Sequence, residues 1–207
     1  MARLTREQLV TAALDLVDRE GADALTMRTL AGRVDRQVSS LYNHVGSRAD
    51  LIEALRARIV ADIDTSPFAD DSRPWDEALA AWAESYLRSF AAHPHLIALL
   101  ATTPIRDQST LAMYDTVVAA LVRAGWPVSD AVAVMRTVEA FVLGSGLDIV
   151  APGDLLTSDA VPEELPALRA ALDPSFADAT GAARAFRLGF AALMDGLRRE
   201  HARVSTV

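Results

Sequence analysis

Apolar residues recur at three- and four-residue intervals along most of the chain, and runs alternating apolar with polar are nearly absent. That periodicity predicts an all-α fold. Leu9, Ala12, Ala13, Leu16 and Val17 trace one stripe of a first helix. Thr5 followed by Gln8 reads as its capping box, and Gly21 is placed to end it. A second helix is expected over Met27–Val34 with Thr26 as N-cap. A third is expected over Val38–Val45, after the polar break Asp35-Arg36-Gln37. Gly46-Ser47 makes the next break, and Ser47 can cap a fourth helix with Ile52, Leu55, Ile59 and Ile63 on one face.

Thr65–Pro74 carries prolines and acids and is the expected linker between an N-terminal module, residues 1–64, and a larger helical one, residues 75–207. Beyond it, helices are expected near 75–92, 95–101, 108–124, 129–150 and 181–200. Ala151–Thr180 is proline-rich and reads as a loop with a short helix near Glu163–Leu172. In the helix at 129–150, Val128, Ala131, Val132, Met135, Val138 and Val142 form one apolar stripe with Glu139 inside it. A buried carboxylate is costly unless paired, so Glu139 is expected to meet an arginine or to face a ligand cavity. Val134, Phe141 and Leu147 make the same helix apolar on more than one side, as in a helix that is central or shared with a partner chain. Phe186, Phe190, Leu193, Met194 and Leu197 form a continuous stripe on the last helix.

Composition narrows the classes. With 207 residues, 51% hydrophobic and 23% charged, the chain can bury a sizeable core and is too apolar to be disordered. The longest stretch free of Asp, Glu, Lys and Arg, between Arg88 and Arg106, contains Pro94, Pro104, His93 and His95, so no membrane span is expected. The N-terminus is charged within three residues and has no apolar signal region, which favours a cytoplasmic address. Cysteine is absent, which removes disulfides, thiolate metal sites and cysteine nucleophiles. Lysine is absent too, which removes Schiff-base chemistry and the lysine of a phosphate-binding loop. No HExxH, GxSxG or GxGxxG pattern occurs. His93-Pro94-His95 has i, i+2 spacing across a proline, which suits a helix start better than a pair of metal ligands. No cofactor, metal or catalytic activity is expected; an enzyme using His93 or His95 is the weakest of three readings. The net charge is −8, yet residues 26–58 hold six Arg against three acids, a local basic face on an acidic chain.

That segment also carries the informative motif. Two short helices joined by a three-residue break, residues 26–45, fit a helix-turn-helix whose second helix enters the major groove. Val38, Leu41 and Val45 share a face expected to pack inward. Ser39, Ser40, Asn43 and His44 are then outward, as hydrogen-bonding groups for base edges or phosphates. Asn43, the only asparagine, has the amide that can pair bidentately with adenine.

The run from Leu4 to Leu55 resembles the DNA-binding domain of the tetracycline-repressor (TetR) family. Its marks are Ala12-Ala13-Leu14, Gly21, Thr26-Met27-Arg28, Leu30-Ala31, Leu41-Tyr42, His44-Val45, Arg48 and Leu51. HPHLIALLATTP, FVLGSGLDIV and FRLGFAALMDGL resemble the family's ligand domain more loosely. Asp35 stands where the family turn commonly has Gly, Arg36 where it has a small apolar residue, and Gln37 where Ser or Thr often caps the recognition helix. Asp tolerates left-handed backbone better than most residues, so the turn can survive.

The resemblance implies a homodimeric, ligand-responsive transcriptional regulator of double-stranded operator DNA, most naturally a repressor. It implies phosphate contacts from Thr26, Tyr42, His44 and Arg48, a base or phosphate contact from Arg28, and reading positions at Gln37, Ser39, Ser40 and Asn43. Arg36 and Val38 complete the DNA-facing set. Tyr86, Phe90, Leu99, Met113, Val117, Met135 and Glu139 are the candidate lining of a cavity for an apolar or aromatic effector. The helices at 129–150 and 181–200 resemble the family's dimerisation elements. The competing reading is an all-α small-molecule-binding protein that has lost operator binding.

Overall fold

The structure, a computed structural model, describes residues 4–152, 156–176 and 181–205. The α-helices in chain order are α1 (Arg6–Glu20), α2 (Met27–Arg33), α3 (Val38–Leu41), α4 (Arg48–Val60), α5 (Trp75–Ala91), α6 (Pro94–Ala101), α7 (Gln108–Arg123), α8 (Val128–Ile149), α9 (Pro166–Ala171) and α10 (Ala182–Val204). Among the described residues there is no β-strand. The chain divides into two compact units, one ending at Ala120 and one starting at Leu121.

In the first unit the local signals act as their chemistry dictates. Thr5 and Gln8 form a reciprocal capping box at the start of α1, and the Gly21 amide closes its end on Val17 at φ 84°. Leu9, Ala13, Leu16 and Val17 are buried, and α1 packs on α2, α4 and α6. Ser47 caps α4 by accepting from the Asp50 amide, and Ile52, Leu55, Ile59 and Ile63 are all buried. On α5, Trp82, Tyr86 and Phe90 form a ladder of rings, with Tyr86 stacked on Phe90 at 4.7 Å. Ser89 Oγ donates to the Ile59 carbonyl and Ser85 Oγ accepts from the Asp64 amide, fixing α5 against the end of α4.

The Thr65–Pro74 segment is more than a polar linker. A 3-10 turn over Ser66–Ala69 buries Pro67 and Phe68 and packs on α5. His93 N-caps α6 and His95 lies in its first turn. His93 Nδ1 lies 2.9 Å from Asp18 Oδ2, and His95 Nδ1 lies 3.1 Å from the carbonyl oxygens of Val17 and Asp18. Both histidines therefore tie α6 to the last turn of α1.

In the second unit α8 packs on α10. Ala131, Val134, Met135, Val138 and Val142 make the buried face of α8, whereas Val128 and Val132 are 73% and 49% exposed. The stripe expected from sequence is thus rotated: Val128 and Val132 leave it and Val134 joins it. Glu139 is half-buried rather than deep in the core. Phe141 stacks with Phe186 and Phe190 of α10, and a Cβ on Gly189 would come within 2.7 Å of the Phe141 ring, so glycine permits that approach. α10 runs a turn past its expected end, to Val204, and His201 Nε2 donates to the Ala124 carbonyl beside the buried Trp126.

Candidate nucleic-acid interface

The turn between α2 and α3 is built on a single left-handed residue. Asp35 has φ 51°, the only positive φ at a non-glycine among the described residues. Its amide bonds to Gly32 O at 3.3 Å, and the Arg36 amide bonds to Ala31 O at 2.9 Å. This pair of bonds is the Schellman closure, which satisfies the last carbonyls of α2. Asp substitutes for glycine because its short polar side chain tolerates the left-handed region. Arg36 Nη1 donates to the Asp35 carbonyl at 2.7 Å, adding a clasp across the turn.

α3 is shorter than its expected extent, Val38–Val45. The α-helix ends at Leu41, and the chain continues in tighter turns: Asn43 N bonds to Ser40 O, and His44 and Val45 share Leu41 O. Gln37 occupies the N-cap without a side-chain bond to the helix, while the Ser40 hydroxyl donates to Gln37 O at 2.7 Å. Leu41 and Val45 are buried and Val38 is half-buried, so the inward face holds the segment down. Gln37, Ser39, Tyr42 and Asn43 are exposed, with Tyr42 at 49%. Ser40 and His44 are only half-exposed, as is Arg36, so the outward row is narrower than the sequence alone suggests.

The flanking groups are equally placed by local bonds. Thr26 Oγ1 accepts from the Thr29 amide at 3.1 Å and lies 2.8 Å from the Thr29 hydroxyl, capping α2. Arg28 is exposed in the first turn of α2. Arg48, in the first turn of α4, donates from Nε to the Leu25 carbonyl at 3.0 Å.

The basic face is smaller than the six arginines of residues 26–58 imply. Arg33 pairs with Glu20 at 2.7 Å and Arg58 with Asp62 at 3.2 Å. Arg56 is 5% exposed and points inward. It bonds Glu53, the Leu100 carbonyl and both the carbonyl and the hydroxyl of Thr103. Glu53 in turn accepts the amides of Arg106 and Asp107, each at 2.6 Å. This node was missed by sequence reasoning, although Arg56 falls on the same side of α4 as Ile52 and Ile59 and so had a signal.

Of the candidate effector positions, Tyr86, Phe90, Met113 and Val117 are buried and Leu99 is half-buried in the first unit. Met135 is buried and Glu139 half-buried in the second. Tyr86 and Phe90 stack on each other. Among the described residues no three His, Cys, Asp or Glu side chains gather as metal ligands, and no helix is long and apolar enough to cross a membrane.

An all-α chain that presents an exposed helix-turn-helix ahead of further helices has the architecture of a DNA-binding transcriptional regulator. Residues 67–201 match the tetracyclin repressor-like C-terminal domain. The tetracycline repressor protein class A from transposon 1721 of Escherichia coli is 32% identical over all of this chain and 96% of that protein. An HTH-type transcriptional regulator of Saccharopolyspora erythraea is 31% identical over 69% of this chain, and the match spans only 59% of that regulator. Among solved structures, a possible TetR family transcriptional regulator from Streptomyces coelicolor A3(2) superposes with TM-score 0.78, 30% identity, and coverage of 94% of this chain and 98% of that one. ActR of Streptomyces coelicolor in complex with (S)-DNPA gives TM-score 0.77 at 26% identity, covering 97% and 100%. The chain belongs to the TetR family of transcriptional regulators, whose members are ligand-responsive repressors.

Proposed function

We propose that this chain is a homodimeric repressor that a small apolar or aromatic molecule releases from its operator. The observation that carries the reading is the Asp35 turn, which holds α3 so that Gln37, Ser39, Tyr42 and Asn43 face outward together. Tyr42, His44, Arg48, Arg28 and Thr26 serve as the phosphate-facing set; Gln37, Ser39, Ser40 and Asn43 serve as the reading set, flanked by Arg36 and the open edge of the half-buried Val38. Residues 1–64 act as the DNA-binding part and 75–207 as the effector and dimerisation part, in the cytoplasm, and the protein acts by binding rather than by catalysis. α8 and α10 supply the dimer contact, which accords with exposed Val128 and Val132 on α8 and Leu188 on α10. ActR's complex with (S)-DNPA supports a small-molecule effector.

The effector-responsive residues are Tyr86, Phe90, Leu99, Met113 and Val117 in the first unit and Met135 and Glu139 in the second, each set by itself, with Glu139 as the polar anchor of its own unit. An effector shifts the equilibrium only through tighter binding to the DNA-incompetent state. The test is operator release measured against a panel of apolar and aromatic compounds. Glu139→Gln is expected to blunt release by the active compound while leaving operator affinity unchanged. Loss of folding stability with an intact ligand response would make Glu139 structural instead.

A further inference from the structure

In the first compact unit a cleft of about 380 Å3 opens between the first turn of α1, the start of α4 and the α6–α7 connection. Its apolar lining includes Ile52 and Pro104, and its charged lining includes Arg6, Asp50, Glu53 and Arg106. It shares none of the effector positions discussed above.

The charges of this lining sort into two groups. Glu53 is fully committed: Oε1 accepts from Arg56 and Oε2 from two backbone amides. Asp107, also in the lining, is spent on the start of α7, where its Oδ2 accepts from the Thr110 amide and hydroxyl. Arg6 and Arg106 are different. Among the described residues neither guanidinium has a partner, and neither does the Asp50 carboxylate. Their backbones are nevertheless fixed. Arg106 is pinned by the 2.6 Å bond from its amide to Glu53, and Arg6 opens a helix held by a capping box. Asp50 is held by the bond from its amide to Ser47. Such preorganisation lowers the cost of binding.

Two uncommitted guanidinium groups, one uncommitted carboxylate and an apolar floor suit a ligand that carries both charges. A lone anion would meet Asp50, and a lone cation would meet two arginines. We propose that this cleft binds a free α-amino acid with an apolar side chain. The ligand carboxylate lies on Arg6 and Arg106, a charge-assisted pairing for which guanidinium is well shaped. The ligand ammonium lies on Asp50, and the side chain rests on Ile52 and Pro104.

The test is titration calorimetry on the whole chain with L-phenylalanine, 3-phenylpropionate and phenethylamine, probes that carry both charges, only the carboxylate and only the ammonium. Phenylalanine is expected to bind, and each single-charge probe to bind about tenfold more weakly, as the loss of one charge-assisted pairing implies. Arg106→Gln and Asp50→Asn should each weaken phenylalanine by about the same factor. Both side chains are exposed and make no bond to a described residue, so both variants should stay folded, Asp50→Asn losing only the favourable charge of the first turn of α4. No uptake of phenylalanine at millimolar concentration overturns the proposal, as does equal affinity for 3-phenylpropionate, or a folded Arg106→Gln variant with unchanged affinity. The readout does not pass through DNA, so a failure of operator binding would leave it standing.

Discussion

Arg48 Nε donates to the carbonyl oxygen of Leu25 at 3.0 Å, linking the first turn of α4 to the residue that precedes the Thr26 cap of α2. An arginine has five N–H donors, so this bond spends one and orients the rest of the fork. The contact fixes the Arg48 side chain at the start of α4, which is the placement that its proposed phosphate role requires.

Arg48 and Asn43 should therefore fail differently. Arg48→Ala is expected to weaken binding to all duplexes alike and to shallow the salt dependence by about one unit. Arg48→Lys should restore part of the affinity, because a single ammonium cannot serve the Leu25 carbonyl and a phosphate in the geometry of the guanidinium fork. Asn43→Ala should cost about 1–3 kcal/mol at one base position and leave the others unchanged. Affinity measured across a panel of single-base operator variants and several salt concentrations separates the two. Identical, sequence-independent losses would remove the division between positioning and reading.

The Asp35 turn makes a stability prediction. At φ 51° a glycine fits freely, whereas a β-branched side chain is strained. Asp35→Gly should leave the unfolding temperature near wild type. Asp35→Val should cost about 1–2 kcal/mol, the penalty of one left-handed residue, and should lower operator affinity by disturbing α3. Thermal unfolding followed by circular dichroism checks the order of the variants. An Asp35→Val chain as stable as wild type would mean the turn can relax.

What could be read from sequence was local. Thr5 with Gln8, Thr26 and Ser47 are caps whose partners lie three residues away, so their spacing sufficed. The left-handed Asp35 was legible only through the family resemblance, in which that turn position commonly has Gly. What escaped depends on neighbours distant in the chain. Arg56 is buried because Leu100 and Thr103 return to it from more than forty residues away. Val128 and Val132 fit the helical period of α8 but lie outside the face packed within this chain. The Ser40 hydroxyl donates to Gln37 O because a backbone acceptor three residues earlier competes with any outside partner for it.

Assembly is testable without harming the fold. Phe190 is stacked with Phe141 and Phe186 inside the second unit, so charging it would damage the chain itself. Leu188 is 63% exposed on the same helix. Leu188→Asp should therefore keep the helical content, yield a monomer in sedimentation and reduce operator affinity without touching the DNA-facing residues. A wild-type chain that sediments as a monomer at micromolar concentration would contradict a dimer built on α8 and α10.

The most direct measurement is selection of duplexes from a random pool by the purified protein, followed by titration of the winning site with salt. The expected result is a palindromic site with half-sites about one helical turn apart, bound with an affinity that falls steeply as salt rises. Failure to enrich any sequence, with the protein folded and dimeric, would contradict operator recognition by the α2–α3 segment.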